Sequence, residues 1–341
     1  MTGRASTEQA GGPDRSAGRS GPPSHGVRAW LTATLVIAGG KLVSLLPETL
    51  AWHLGSAAGL LEYAASPSRR ACARRNLRRV VEWMAAGELG AEKYRRAASD
   101  HRALEALVRS AFRHHGHYTM ELVRAGRFDA DYVTQRLLVE TPREVEEWLT
   151  RRRALILLGM HFGAIEMPGF LAVKLLGRIA APMETVANPR IQRYVLSTRA
   201  RIGVRILTLE EAPRELLATL KRNEPVGLVA DRDLTGGGIE AEFFGAATRI
   251  PAGPAFLAVE SGAPMYAAAV RRDGPGRYRG SLYQVPVPGG ADRRGRIRAI
   301  VREEARIFER FVMQAPEQWL ASFHAVWPDL EQAAAAGKRS A

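Results

Sequence analysis

The spacing of apolar and polar positions changes character near residue 150. Before that point the chain carries two strongly apolar segments, 30–46 and 48–64, parted by Pro47, and then longer amphipathic patterns. One of these, 99–112, extends toward 118–124, so the first part of the chain is predicted to be helical. From Ala154 onward, short apolar runs alternate with longer amphipathic ones. The short runs predict strands at 154–158, 178–183, 204–207, 226–230, 265–270 and 278–285. The longer ones predict helices at 165–176, 189–202, 213–222, 253–261 and 294–313, with Pro251 and Pro254 suited to a helix entry. Alternation of this kind implies an α/β fold with a mostly parallel central sheet covered by helices on both faces. The expected organisation is a disordered basic tail over 1–25, a helical N-terminal segment over 26–150, an α/β core over 151–330 and a frayed tail over 331–341.

Charge and the first two helices belong together. Lys41, Glu48 and His53 interrupt the apolar stretch and Pro47 breaks it, so no run approaches the ~20 residues of a membrane-crossing helix. Helices lying in a membrane interface, or packed on the domain, are expected instead. The chain carries a net charge of +14, with Arg69, Arg70, Arg74, Arg75, Arg78 and Arg79 directly after these helices and Arg151, Arg152 and Arg153 before the first strand. Apolar helices followed by arginines read as a two-signal peripheral anchor on an anionic membrane. Nucleic acid is the rival polyanion, but few aromatics are interleaved with the arginines, and it is not expected as a partner. The lone Cys72 excludes an internal disulfide and agrees with a reducing compartment.

The densest chemistry lies in Leu157-Leu158-Gly159-Met160-His161-Phe162-Gly163-Ala164-Ile165-Glu166. A buried strand ends in a histidine and a helix begins at a carboxylate five positions later. On one continuous helix such residues stand about 140° apart and share no face. They meet only if His161 stays outside the helix and the chain reverses through Gly163. An imidazole held by Glu166 would keep one tautomer and serve as a base, and the helix N-terminus would favour a developing anion.

Further candidates end other strands. Glu184 and Asn188 precede the helix carrying Arg199. Asp231, Arg232 and Asp233 end an apolar strand before Gly236-Gly237-Gly238, where α/β proteins bind ligands. The two aspartates flanking Arg232 also read as a self-neutralising salt bridge. The triple glycine is not followed by Gly-Lys-Ser/Thr, no Gly-x-Gly-x-x-Gly follows a strand, and no Gly-x-Ser-x-Gly is present, which argues against a P-loop, a dinucleotide site and an α/β-hydrolase. His114, His115 and His117 cluster without zinc-site spacing, and no metal site is expected.

Together these residues resemble the bacterial lysophospholipid acyltransferase superfamily, in the branch holding lipid A late acyltransferases and phosphatidylinositol mannoside acyltransferases. His161 to Glu166 looks like that superfamily's histidine–four residues–acid motif, with Glu for the commoner Asp. Gly163, Asn188-Pro189 with Arg199, Asp231-Arg232-Asp233 and Phe243-Phe244-Gly245 are similar to further motifs of the branch. Leu46-Pro47-Glu48 and Arg74-Arg75-Asn76-Leu77 are similar to its leader segment. Asp231 to Thr235 and the closing Trp319, Trp327-Pro328-Asp329 look closer to the mannoside enzymes. Ala164-Ile165 departs, standing where the branch often has Asn-Trp. The resemblance covers roughly residues 30–330.

What it implies is acyl transfer from an acyl thioester, acyl-CoA or acyl carrier protein, to a hydroxyl of a glycolipid, without a cofactor, at the cytoplasmic face of the plasma membrane. His161 would be the base, Glu166 its orienting acid, and Asp231 an assistant to His161 or a ligand of acceptor hydroxyls. Gly163, Glu184, Asn188, Arg199 and Asp233 would bind substrate, Arg199 neutralising a phosphate. Alternative acceptors are a lysophospholipid or a lipid A precursor. The alternative class is a basic protein that binds lipid or nucleic acid without catalysis.

Overall fold

The computed structural model describes residues 26–339 apart from 142, 144–146, 148–153, 202, 234, 235 and 291. The expected basic tail, Arg151–Arg153, Leu234 and Thr235 lie outside the described residues. The helical segment comprises α1 (Val27–Ser44), α2 (Glu48–Ala65), α3 (Pro67–Ala86), α4 (Glu92–Arg96), α5 (His101–Arg124) and α6 (Ala130–Arg136). It is followed by β1 (Leu137–Val139) and β2 (Ile156–Gly159). Then come α7 (Glu166–Leu176), β3 (Ile179–Pro182), α8 (Pro189–Arg201), β4 (Val204–Leu207), α9 (Ala212–Lys221) and β5 (Val226–Val229). The chain continues through β6 (Ile239–Phe243), β7 (Ala246–Ile250), α10 (Gly253–Ser261), β8 (Met265–Arg272), β9 (Tyr278–Val285), α11 (Arg293–Gln314) and α12 (Pro328–Arg339).

A seven-stranded sheet in the order β1-β9-β8-β2-β5-β3-β4 forms the core, with a two-stranded β6–β7 hairpin beside it. Only the β8–β9 pairing is antiparallel within the large sheet. The strand side chains alternate between two apolar layers. Leu155, Leu157, Ile179, Tyr266 and Ala268 share one with Ala172 of α7. Ile156, Leu158, Val226, Met265 and Ala267 face the other, which holds residues of α3, α5, α10 and α11. This two-sided burial explains why the strands read as continuous apolar runs. The hairpin was not expected; its strands alternate in burial, and Phe244 and Gly245 turn it in left-handed conformations.

The N-terminal helices pack on this core. Helices α2 and α5 cross closely enough that a Cβ on Gly59 or Gly116 would collide with the backbone of the other helix. Helix α1 rests on α8, where Arg190 donates to Thr34 Oγ1 (3.0 Å) and stacks on Trp30. Among the described residues no helix is long and apolar enough to cross a membrane.

The arginine cluster of α3 differs from the anchor expected of it. Arg69 pairs with Glu62, Arg74 with Glu105, Arg75 with Glu331 (2.7 Å) and Arg79 with Asp329 (2.5 Å). Arg70 donates to the Tyr63 carbonyl, and Arg78 remains exposed. The cluster therefore ties α3 to α2, α5 and α12. The same pairs hold the start of α12, whose Asp329 and Glu331 are clamped to α3.

Candidate active site

His161 lies two residues past the end of β2, and Asp231 lies two past the end of β5. The two strands are parallel neighbours with Gly159 opposite Val229, so equal overhangs bring the two side chains together. Asp231 Oδ1 meets His161 Nδ1 at 2.6 Å, and Oδ2 accepts from the His161 backbone N–H at 3.0 Å and from Trp319 Nε1 at 3.3 Å. The Asp231 side chain is only 1 % exposed. Burial alone would raise its pKa, but the facing His161 charge and these hydrogen bonds outweigh it and hold the carboxyl below its ordinary range. A buried, ionised acid on Nδ1 fixes the ring's tautomer and leaves Nε2 to meet a substrate.

Glu166 is placed differently from the sequence expectation. It opens α7, but its carboxylate meets Arg199 Nη2 of α8 at 2.5 Å. The expected His161–Glu166 contact is replaced by two separate pairs, His161–Asp231 and Glu166–Arg199. The reason is topological: strand register delivers a carboxylate to His161 from across the sheet, and α8 delivers Arg199 to the first turn of α7. Arg199 Nη1 also contacts Met183 Sδ at 2.8 Å, so the arginine expected to be open to a phosphate already has partners within the protein.

The turn between His161 and Glu166 is clamped by its backbone. Gly163 has φ +55°, and a Cβ there would collide with the Val270 carbonyl oxygen, so only glycine fits. Its N–H donates to the Gln318 carbonyl (2.9 Å) and its carbonyl accepts from Arg272 Nη2 (2.9 Å). The Arg272 side chain, fully buried, also pairs with Glu121 of α5 at 2.6 Å, and Gln318 bonds both backbone polar groups of Arg272. The Leu320 N–H donates to the His161 carbonyl at 2.7 Å. Arg272, Gln318 and Trp319 thus set the position of His161. Sequence reasoning missed the first two, although a charged residue ending the apolar run 265–270 was a visible signal.

These elements surround a cavity of about 430 Å³ between the sheet and α7–α8. Leu157, Ile179, Val204, Gly227 and Ala268 floor it, while His161, Glu166, Glu184, Arg199 and Arg232 supply its ionisable groups. Tyr118 of α5 also lines it, its hydroxyl pushed up to about 12 by burial and the Glu166 charge. The volume falls within the range of small-molecule sites.

Three expected substrate contacts are engaged elsewhere. Gly163 is absent from the lining, with both backbone groups bonded as described. Asn188 caps α8, its side-chain oxygen accepting from the Arg190 (3.0 Å) and Ile191 (3.4 Å) N–H groups. Asp233 accepts from the Gly238 N–H (2.9 Å) and lies 3.5 Å from Arg249 Nε, bracing the glycine loop. Glu184 lines the cavity with an exposed carboxylate. The three clustered histidines serve packing: His117 stacks on Trp52 and bonds Ser56, and His115 contacts Glu62.

Residues 23–327 match the family described as bacterial lipid A biosynthesis acyltransferases. The chain belongs to this family. It is also similar to the phosphatidylinositol mannoside acyltransferase of Mycolicibacterium smegmatis, 32% identical over 233 residues, which cover 67% of this chain and 71% of that protein. The phosphatidylinositol mannoside acyltransferase of Mycobacterium tuberculosis is 33% identical over 163 residues, covering 47% of this chain and 50% of that protein.

Proposed function

We propose that this acyltransferase moves a fatty acyl group from an acyl thioester, acyl-CoA or acyl carrier protein, to a hydroxyl of a phosphatidylinositol mannoside. The observation that carries the reading is the 2.6 Å His161–Asp231 contact at the wall of an apolar cavity of about 430 Å³. The acyl chain lies in the cavity with its carbonyl at His161. The acceptor hydroxyl oxygen attacks that carbonyl carbon while His161 Nε2 takes the hydroxyl proton. Asp231 stays ionised and stabilises the imidazolium. As the tetrahedral intermediate collapses, the carbon–sulfur bond breaks and the proton passes from His161 to the leaving thiolate. General-base assistance of this kind contributes roughly 10²–10⁴ in rate. Glu166 and Arg199 neutralise one another and hold α7 to α8 over the cavity. The acceptor assignment leans on the two relatives named above; a lysophospholipid is the alternative acceptor.

The proposed location is peripheral, at the cytoplasmic face of the membrane. Trp30, Leu42, Leu45 and Leu61 on and beside α1 and α2 are between 52% and 74% exposed, which suits apolar contact with lipid. The paired arginines of α3 contribute less to this contact than their number in the sequence suggests.

His161→Ala is the decisive variant. Incubated with acyl-CoA and a mannosylated phosphatidylinositol, it is expected to form no acylated lipid above background by mass spectrometry, while its melting temperature stays near that of the wild type. Product formation at the wild-type rate would remove the proposed base.

A further inference from the structure

Among the described residues two arginines line the cavity, and only one has its charge answered by a carboxylate. Arg199 is held by Glu166. Arg232 stands between two aspartates and pairs with neither: Asp231 is taken by His161 and Trp319, and Asp233 by the Gly238 N–H and Arg249. Among the described residues no carboxylate forms an ion pair with Arg232, so the expected self-neutralising bridge does not form. Arg232 is half-buried and follows directly on the acid that steadies His161. A guanidinium partly removed from water without an acceptor carries an uncompensated desolvation cost. An anion entering the cavity mouth would offset that cost.

The surroundings reinforce the point. The His324 imidazole is held down to about 4, by burial first and then by the charges of Arg232, His161 and Arg69. Arg232 is thus the cation left without a carboxylate, among the described residues, at the His161 end of a cavity whose floor is apolar. That combination fits an amphiphile with a fatty chain on one side of its reacting atom and a phosphate on the other.

We propose that Arg232 is the phosphate-binding residue of this site, its forked guanidinium receiving two phosphate oxygens of a co-substrate whose reacting group lies at His161. The proposal rests on the acyl-transfer reading. It assigns to Arg232 the role that the sequence suggested for Arg199. The phosphate chemistry is common to the phosphodiester of the acceptor and to the phosphates of a CoA donor.

The test titrates the full-length wild type, Arg232→Gln and Arg232→Lys calorimetrically with CoA and, separately, with a deacylated glycerophosphoinositol mannoside. Melting curves confirm that each variant is folded. Arg232→Gln is expected to weaken one of the two ligands at least about tenfold and the other less than about twofold, with Arg232→Lys in between. The affected ligand identifies which co-substrate carries the phosphate. Affinities for both ligands within about twofold of the wild type, equal weakening of both, or no binding to the wild type would each overturn the assignment. A wild type that binds through Arg232 yet forms no acylated lipid would instead sink the acyl-transfer reading and leave the phosphate site standing.

Discussion

Among the described residues two histidine–carboxylate contacts of nearly the same length occur, and only one of them belongs to the cavity. His161 meets Asp231 at 2.6 Å, and His115 of α5 meets Glu62 of α2 at 2.8 Å, both through Nδ1. Exposure does not separate them, since the two rings are 29% and 24% exposed. Their second nitrogens do. His115 Nε2 faces Arg69 Nη2 at 3.4 Å, and the same arginine pairs with Glu62. Glu62 therefore neutralises a guanidinium, and the His115 pKa is lowered to about 4 by burial and by the charges of Arg69 and Arg272. Among the described residues no arginine or lysine pairs with Asp231, which meets His161 and is otherwise satisfied by N–H donors. A histidine touching an acid is thus no signature by itself. The chemistry needs a ring whose far nitrogen is left to a ligand and whose acid is not shared.

Matched variants sharpen this contrast. Asp231→Asn keeps the shape of the side chain but removes the charge facing His161, and it is expected to lower kcat roughly 10²–10⁴-fold. Glu62→Gln removes the corresponding charge from His115. It is expected to leave kcat within about threefold and to act on stability, because Arg69 loses its acceptor and partly buried pairs are costly to break from one side. Acyl-transfer rates and melting temperatures for both variants check this. Equal losses of kcat would erase the distinction.

A smaller effect is expected at the second carboxylate of the site. Glu166→Gln weakens the bond to Arg199 without touching His161, so the cost should appear in KM, with kcat falling no more than about tenfold. Steady-state kinetics at varied donor concentration separate the two parameters. A kcat loss matching that of Asp231→Asn would mean that Glu166, and not Asp231, steadies the imidazole during turnover.

The sheet and most of its helices were legible because burial on two faces leaves unbroken apolar runs: β4 and β9 fall where the pattern places them, and so does α10. His161, Asp231 and Glu184 were legible as a set, since polar residues ending apolar runs are few, and Arg199 was legible from the helix that follows Glu184. Their pairing was not. Spacing along the chain favours the neighbour five residues away, whereas the β2–β5 register brings an acid from 70 residues away. The β6–β7 hairpin was readable in principle from the alternation Ile239, Ala241, Phe243. The apolar pair Phe243-Phe244 obscured it, because Phe244 sits in a left-handed turn while packing against Trp83 and Trp319. The α3 arginines misled for a related reason: their acids lie on α2, α5 and α12, far away in sequence.

The smallest expected effect concerns pH and again sets His115 against His161. The folded protein holds His115 near 4, below the ordinary value of 6.5 that the unfolded chain regains. Between those values the unfolded state binds more protons, so stability rises with pH across that window and is lost as pH falls from about 6.5 toward 4. His117, lowered to about 3 by burial and the Arg272 charge, and His324, lowered to about 4, act in the same direction. The two more buried groups, His115 and His117, each lower the stability by on the order of 1–2 kcal/mol at pH 5. Melting temperatures measured from pH 7 to pH 5 should fall, and His115→Gln, which keeps a hydrogen-bonding group facing Glu62 but cannot titrate, should fall less steeply. An unchanged slope in that variant would show that His115 is not held neutral by its surroundings, and that the two histidine–acid pairs do not differ in this respect.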